Sequence, residues 1–198
     1  MEKIVKLSKK KINTRPKPRR ICSIDASTNS LAFAIFDDVK LTHVGKIEFE
    51  GNNAYEKLVD AAKKSGSFFK LFEIDAIVIE HTIFINSPKT AADLALVQGA
   101  MLGAAGQSGV PTAGSINPIA WQTYLGNKKL SQEEKLAIMK EFPEKSTSWY
   151  KAYDRDFRKQ RTIRLVNIHY NKTITDNDVA DAVGVGHYAI NNWDKLGT

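Results

Sequence analysis

Of 198 residues only one is cysteine, Cys22, so no internal disulfide can form and no C-x-x-C pair exists to hold zinc. No apolar run approaches the roughly 20 residues of a membrane span. The N-terminus carries a basic stretch where a signal peptide would carry its apolar core. Nothing repeats internally, and no segment is of low complexity. A secreted disulfide domain, a zinc ribbon and a membrane protein are thereby excluded. What is present is a globular composition, with 42% hydrophobic and 26% charged residues, enough apolar side chains to build a core.

The formal net charge of +7 is unevenly placed. Residues 1–20 hold nine Lys or Arg against one Glu, while the rest of the chain holds 20 basic residues against 21 acidic ones. A tail at net +8 is thus joined to a nearly neutral body at net −1. A block of like charge containing two prolines resists packing, and such arms contact nucleic acid or act as solubilising or localisation segments. The expected division is a basic, flexible tail over 1–20 and a single domain over 21–198.

Past the tail, ICSIDAST (21–28), LAFAIFDD (31–38) and KLTHVGKIEF (40–49) read as three successive strands joined by short turns. AYEKLVDAAKKSGSFFKLF (54–72) has helical spacing, and DAIVIE (75–80) is a short apolar strand of the kind covered on both faces. A helix from Pro88 to about Ser108, a strand over 110–117 and a helix over 118–126 follow. This order predicts an α/β domain with a mixed five-stranded sheet, three strands antiparallel and then two parallel, flanked by helices. SQEEKLAIMKEF (131–142) opens with a capping box, Ser131 and Glu134. WYKAYDRDFRKQRTIRLV (149–166) sets Trp149, Tyr153 and Phe157 in a stripe at four-residue spacing, expected to dock on the body or on a partner subunit. Its surroundings are basic: seven Lys or Arg against two acids between Lys145 and Arg164. The last helix, within TDNDVADAVGVGHYAINNW (175–193), presents Asp178 and Asp181 one turn apart.

Four carboxylates stand where structure usually avoids them. Asp25 interrupts the apolar first strand, and Glu80 ends the apolar fourth. Asp178 and Asp181 share a face of a helix whose Ala180, Ala182, Gly184 and Gly186 permit close approach to the sheet. Adjacent first and fourth strands would set Asp25 beside Glu80, with the helical pair laid across the same edge. Such a cluster is costly without a counter-charge, and hard divalent cations answer that need because Mg²⁺ prefers carboxylate oxygens. Two Mg²⁺ ions balance four carboxylates and serve in-line phosphodiester displacement. Asp176, just ahead of the helix, is read as its cap, and His187 as a helix-end residue.

SIDAST (23–28), IVIEHTIF (77–84) and DVADAVGVGHYA (178–189) resemble the three motifs of the RuvC-type Holliday junction resolvases. TAADLALVQGAMLGAA (90–105) and SINPIAWQTYLG (115–126) follow that family's order, and the resemblance covers roughly 21–142 and 175–192. It implies the RNase H-like fold with a helical insertion at about 143–174. It also implies a crossover junction endodeoxyribonuclease in which Asp25, Glu80, Asp178 and Asp181 are both catalytic and metal-ligating, with Mg²⁺ as cofactor and Mn²⁺ as a substitute. The implied partners are branched DNA, above all the four-way junction, and a second copy of the chain. Neither a membrane nor a small-molecule cofactor is implied, and the setting is the cytoplasm, on nucleoid or phage DNA.

The chain departs from the family at its first motif, which reads Ser23-Ile24-Asp25-Ala26-Ser27-Thr28 where G-I-D-P-G-T is usual. The family's junction-prying aromatic falls at Ile83 by spacing, with Phe84 next. Both features fit a divergent or phage-encoded member. The candidate DNA contacts are Phe84, Lys89, Lys128, Lys129, Lys135, Arg155, Arg158, Lys159 and Arg161; the spacing leaves open which lysine meets the scissile phosphate. A fork or flap nuclease of the same fold and a non-cutting junction binder are the alternative functions. A sugar-kinase or actin-like ATPase would need two lobes and Gly-rich phosphate loops.

Overall fold

The computed structural model describes residues 17–81 and 87–196. Five strands form one sheet: β1 (Arg20–Ala26), β2 (Ser30–Asp37), β3 (Lys40–Glu48), β4 (Ala76–Glu80) and β5 (Thr112–Ile116), in the order β3-β2-β1-β4-β5. β1 pairs antiparallel with β2, and β2 with β3; β1 pairs parallel with β4, and β4 with β5. This is the mixed sheet expected from the sequence.

Both faces of the sheet are covered, and the period-2 alternation of β1 and β4 sorts side chains between them. Cys22, Ile24, Ile77 and Ile79 face α1 (Ala54–Phe72) and α2 (Pro88–Gln107), packing with Phe68, Phe69, Val97 and Met101. Ile21, Ala76 and Val78 face α6 (Asn177–Asn191), packing with Trp121, Val166, Val179 and Val183. Trp121 lies on α3 (Pro118–Tyr124) and Val166 on α5 (Thr147–Tyr170).

The helix boundaries have local causes. Asn53 caps α1 by accepting from the Glu56 N–H, and Glu73 ends it in the left-handed region at φ 48°. The capping box opens α4 (Gln132–Glu141) as expected. α5 is longer than the sequence pattern indicated, because Ser146 caps it early and only the left-handed Asn171 stops it. Its second half is integral to the body: Val166 is buried in the cluster that includes α6, and Thr162 is buried where it accepts from Asn127 Nδ2 at 2.7 Å. The aromatic stripe stacks within its own helical hairpin, Trp149 on Tyr153 at 5.2 Å and both against Phe142 at the end of α4.

At the end of the basic stretch, contacts to the body reach back to Lys17. β1 already begins at Arg20, whose guanidinium bonds Asp37 at 2.7 Å and the Phe72 carbonyl at 3.1 Å, and Lys17 Nζ donates to the Ile190 carbonyl. Lys17 and Arg20 are thus tied to the body through carbonyl and carboxylate partners. Residues 1–16 lie outside the described residues, as do Ile83 and Phe84.

Candidate active site

The alternation that sends Ile21 and Val78 towards α6 also sends Asp25 and Glu80 there, each at the C-terminal end of its strand. Ile24 pairs with Ile79, so the next residues, Asp25 and Glu80, are neighbours, and their carboxyls hydrogen-bond. Glu80 Oε1 also accepts from the Trp121 indole N–H at 3.1 Å. Burial pushes the Asp25 carboxyl well above its usual range, and the Glu80 charge pushes it further. Glu80 is raised as well, chiefly by burial, against the hydrogen bonds from Asp25 and Trp121. The two carboxyls therefore titrate as a pair, each held above its ordinary range.

α6 supplies the other pair. Its small residues let it lie close to the sheet. A Cβ on Gly184 would stand 2.5 Å from the Trp121 ring, and one on Gly186 would stand 2.2 Å from Phe36 and 2.4 Å from Ser23 Oγ. Ser23 Oγ, buried in β1, lies 2.7 Å from the Ala182 carbonyl and fixes the helix in depth. At that depth the Asp181 carboxyl is pushed up to about 8 by burial and then by Asp25, against the pull of Lys159 and Arg158. Asp178, one turn earlier, is half-buried and acts electrostatically on Asp25, Glu80 and Asp181. The four carboxylates singled out in the sequence are thus brought into one mutually interacting group.

Asp176 is the cap that was expected, accepting from the Asp178 and Val179 N–H groups at 2.8 and 3.1 Å. Its carboxyl stays below the usual range despite burial, held there by the Val179 N–H and Lys46.

Sequence reasoning missed Lys46. It sits on β3 opposite Ala32, which in turn sits opposite Asp25, so Lys46, Ala32 and Asp25 form a row across three strands. The small Ala32 between them leaves space for the lysine stem. Lys46 Nζ bonds Asp178 at 2.5 Å and Asp176 at 3.2 Å. A lysine two residues from the inward-packing Val44 on a period-2 strand was the available signal. Trp121 was also missed as a Glu80 partner; an indole buried beside a carboxylate strand end carries no sequence mark.

The candidate DNA contacts separate into classes. Lys159 and Arg158 on α5 lie within electrostatic reach of Asp181. Arg158 is tied down as well, its Nη1 donating to Gln122 at 3.2 Å. Arg161 is engaged internally, donating to Asn127 Oδ1 at 2.7 Å and to the Lys128 carbonyl, so it fastens the α3–α4 loop to α5. Lys128 and Lys129 are exposed on that loop, Lys135 is exposed on α4, and Arg155 is exposed on α5. Lys89 stands exposed in the first turn of α2, lining a pocket with Thr28 and Asn29 of the β1–β2 turn. His187 faces α5 instead of the carboxylates, its Nδ1 2.6 Å from the Tyr170 hydroxyl, and burial pushes its pKa down to about 4.

Among the described residues, no group of three or more His, Cys, Asp or Glu side chains is placed so that it could hold a metal ion. The donor set nonetheless has the chemistry of a divalent-cation site: four carboxylates on one another's fields, three of them raised by burial and mutual repulsion. A hard cation bound there would offset the repulsion.

No protein-family model matches the sequence, and no curated protein matches it. Solved structures do. RuvC of T. thermophilus in complex with Holliday junction substrate matches with a TM-score of 0.64 at 16% identity, over 91% of this chain and 100% of that one. A second Thermus thermophilus RuvC structure gives 0.61 at 16% identity, over 90% and 99% of the two chains. The yeast mitochondrial Holliday junction resolvase Ydc2 gives 0.49 at 13% identity, over 89% and 80%. The chain has the RNase H-like fold that RuvC has.

Proposed function

We propose that the chain is a divalent-metal-dependent, structure-selective DNA endonuclease that resolves four-way junctions, a divergent RuvC-type resolvase. The observation that carries this reading is the convergence of Asp25, Glu80, Asp178 and Asp181 from two strand ends and one helix onto a single mutually repelling group. The fold shared with RuvC, which was solved on a Holliday junction, supports the choice of substrate.

On this reading the four carboxylates hold two Mg²⁺ ions, which Mn²⁺ can replace. Divalent cations bound there supply a water activated for in-line attack and stabilise the departing oxygen of the phosphodiester. The protein supplies the rest. Trp121 fixes the rotamer of Glu80, and the close packing of α6 fixes Asp178 and Asp181 in depth. Lys159 and Arg158, already balancing Asp181, receive the scissile-strand phosphates, while exposed Arg155, Lys128, Lys129, Lys135 and Lys89 extend the contact along the duplex arms. Such contacts give affinity with little sequence readout. A four-way junction has two equivalent strands to cut, so the working unit is a pair of chains, each cutting one strand of branched DNA during recombination or repair in the cytoplasm.

The test is an end-labelled four-way junction incubated with the protein and Mg²⁺ or EDTA and run on a denaturing gel beside a linear duplex and a Y-shaped fork. Paired symmetric nicks near the junction centre, dependent on Mg²⁺, are expected. Equal cutting of the fork would replace junction resolution with general branched-DNA cleavage. Tight junction binding without cutting would overturn the nuclease reading.

A further inference from the structure

Asp178 is engaged at both of its oxygens. Oδ1 accepts from Asn177 Nδ2 at 2.5 Å, and Oδ2 accepts from Lys46 Nζ at 2.5 Å. The same ammonium reaches Asp176 Oδ2 at 3.2 Å. Sheet register brings Lys46 here, along the row that runs through Ala32 to Asp25, so its place is set by the backbone as much as by its flexible stem. Both partners remain open to solvent, with Lys46 26% and Asp178 34% exposed in their side chains, so a hydrated ion can reach the carboxylate. An ammonium in contact with one member of a carboxylate cluster supplies the charge that a metal ion would otherwise supply, and the two cations repel each other across the same oxygens.

Resting on the reading of Asp178 as a metal ligand, we propose that Lys46 is the site's built-in counter-cation, which holds Asp178 in the metal-free protein and competes with a divalent cation for it. Metal binding at this carboxylate is then an exchange. The ammonium leaves Asp178 Oδ2 and stays on Asp176, which gives that helix cap a second task as the residue that parks the displaced lysine. The exchange lowers metal affinity below what four carboxylates alone would give, so occupancy follows the surrounding metal concentration instead of saturating at trace levels.

The test is Mn²⁺ binding to the full chain without DNA, by titration calorimetry, for wild type, Lys46→Met, Lys46→Arg and Asp178→Asn. Lys46→Met keeps the length of the stem and removes the charge, so it binds Mn²⁺ about tenfold tighter or more, while Lys46→Arg stays near wild type. Unchanged or weaker binding by Lys46→Met, with Asp178→Asn weakened, overturns the competition and leaves the ligand reading standing. Asp178→Asn binding as wild type removes the ligand reading and the proposal with it. A measurement on the native fold covers a Lys46→Met chain that fails to fold: amine labelling of Lys46, read by mass spectrometry, rises when Mg²⁺ is added to wild type, and a constant labelling rate overturns the proposal.

Discussion

Asp25→Asn keeps the size of the side chain and its place in β1 but removes the charge shared with Glu80. Junction cutting should fall to background in the gel assay, while binding measured by gel shift is retained or tightened because like charge facing the phosphates is reduced; near wild-type cutting would remove Asp25 from the site. Asp181 makes a separate prediction about stability. In the unfolded chain it loses its proton near pH 4, but in the folded chain it keeps it to about 8. The folded state therefore binds more protons through that window, and stability in EDTA falls as pH rises through it. Asp181→Asn removes this fall. At pH 8 in EDTA it should melt a few degrees above wild type, since each kcal/mol moves the midpoint of a chain this size by about 2–4 °C. A melting difference independent of pH between 5 and 8 would show that the Asp181 proton is not the cause. His187 acts with the opposite sign: pushed down to about 4, it stays neutral while the unfolded chain protonates, so it costs stability as pH falls from 6.5 towards 4.

At the scale of the element, α6 decides the site because its depth decides where two carboxylates sit. Gly186→Ala would force Phe36 and Ser23 aside at distances no real Cβ tolerates, and overpacking of this kind costs about 1–3 kcal/mol. The expected outcome is a lower urea midpoint together with a loss of cutting larger than the stability loss explains, because Asp178 and Asp181 move with the helix. An unchanged midpoint would mean that α6 has slack. α1 was legible to the residue, since an Asn cap precedes its first apolar turn and an apolar run closes it. The strand-end acids and the Asp178–Asp181 pair were legible for a similar reason: they break apolar patterns that are themselves clear. Lys46 was not, because its partner is set by the pairing of three strands, and the hairpins reveal pairing without revealing which lysine will meet an acid 132 residues away. The extent of α5 was hidden by Asn167 and His169, weak helix formers that tertiary packing against α6 overrides.

For the molecule as a whole, the charge division between tail and body yields a prediction in solution. Residues 1–16 hold six Lys or Arg and one Glu. Their removal, leaving Lys17 and Arg20 on their partners, should weaken junction binding and make it less dependent on salt, by about 0.9 in log–log slope for each phosphate that the arm had neutralised. An unchanged slope, measured between 50 and 200 mM salt, would show that the tail neutralises no phosphates.

The order of the four carboxylates along the chain has a consequence for synthesis. A ribosome making this protein lays down the sheet and the acids of β1 and β4 first, and completes the quartet only when α6, residues 177–191, emerges and docks. Until then the growing chain carries a half-built site beside whatever nucleic acid surrounds it. On the nuclease reading proposed above, a chain that stops before Asp178 lacks two of the four carboxylates and is expected not to cut.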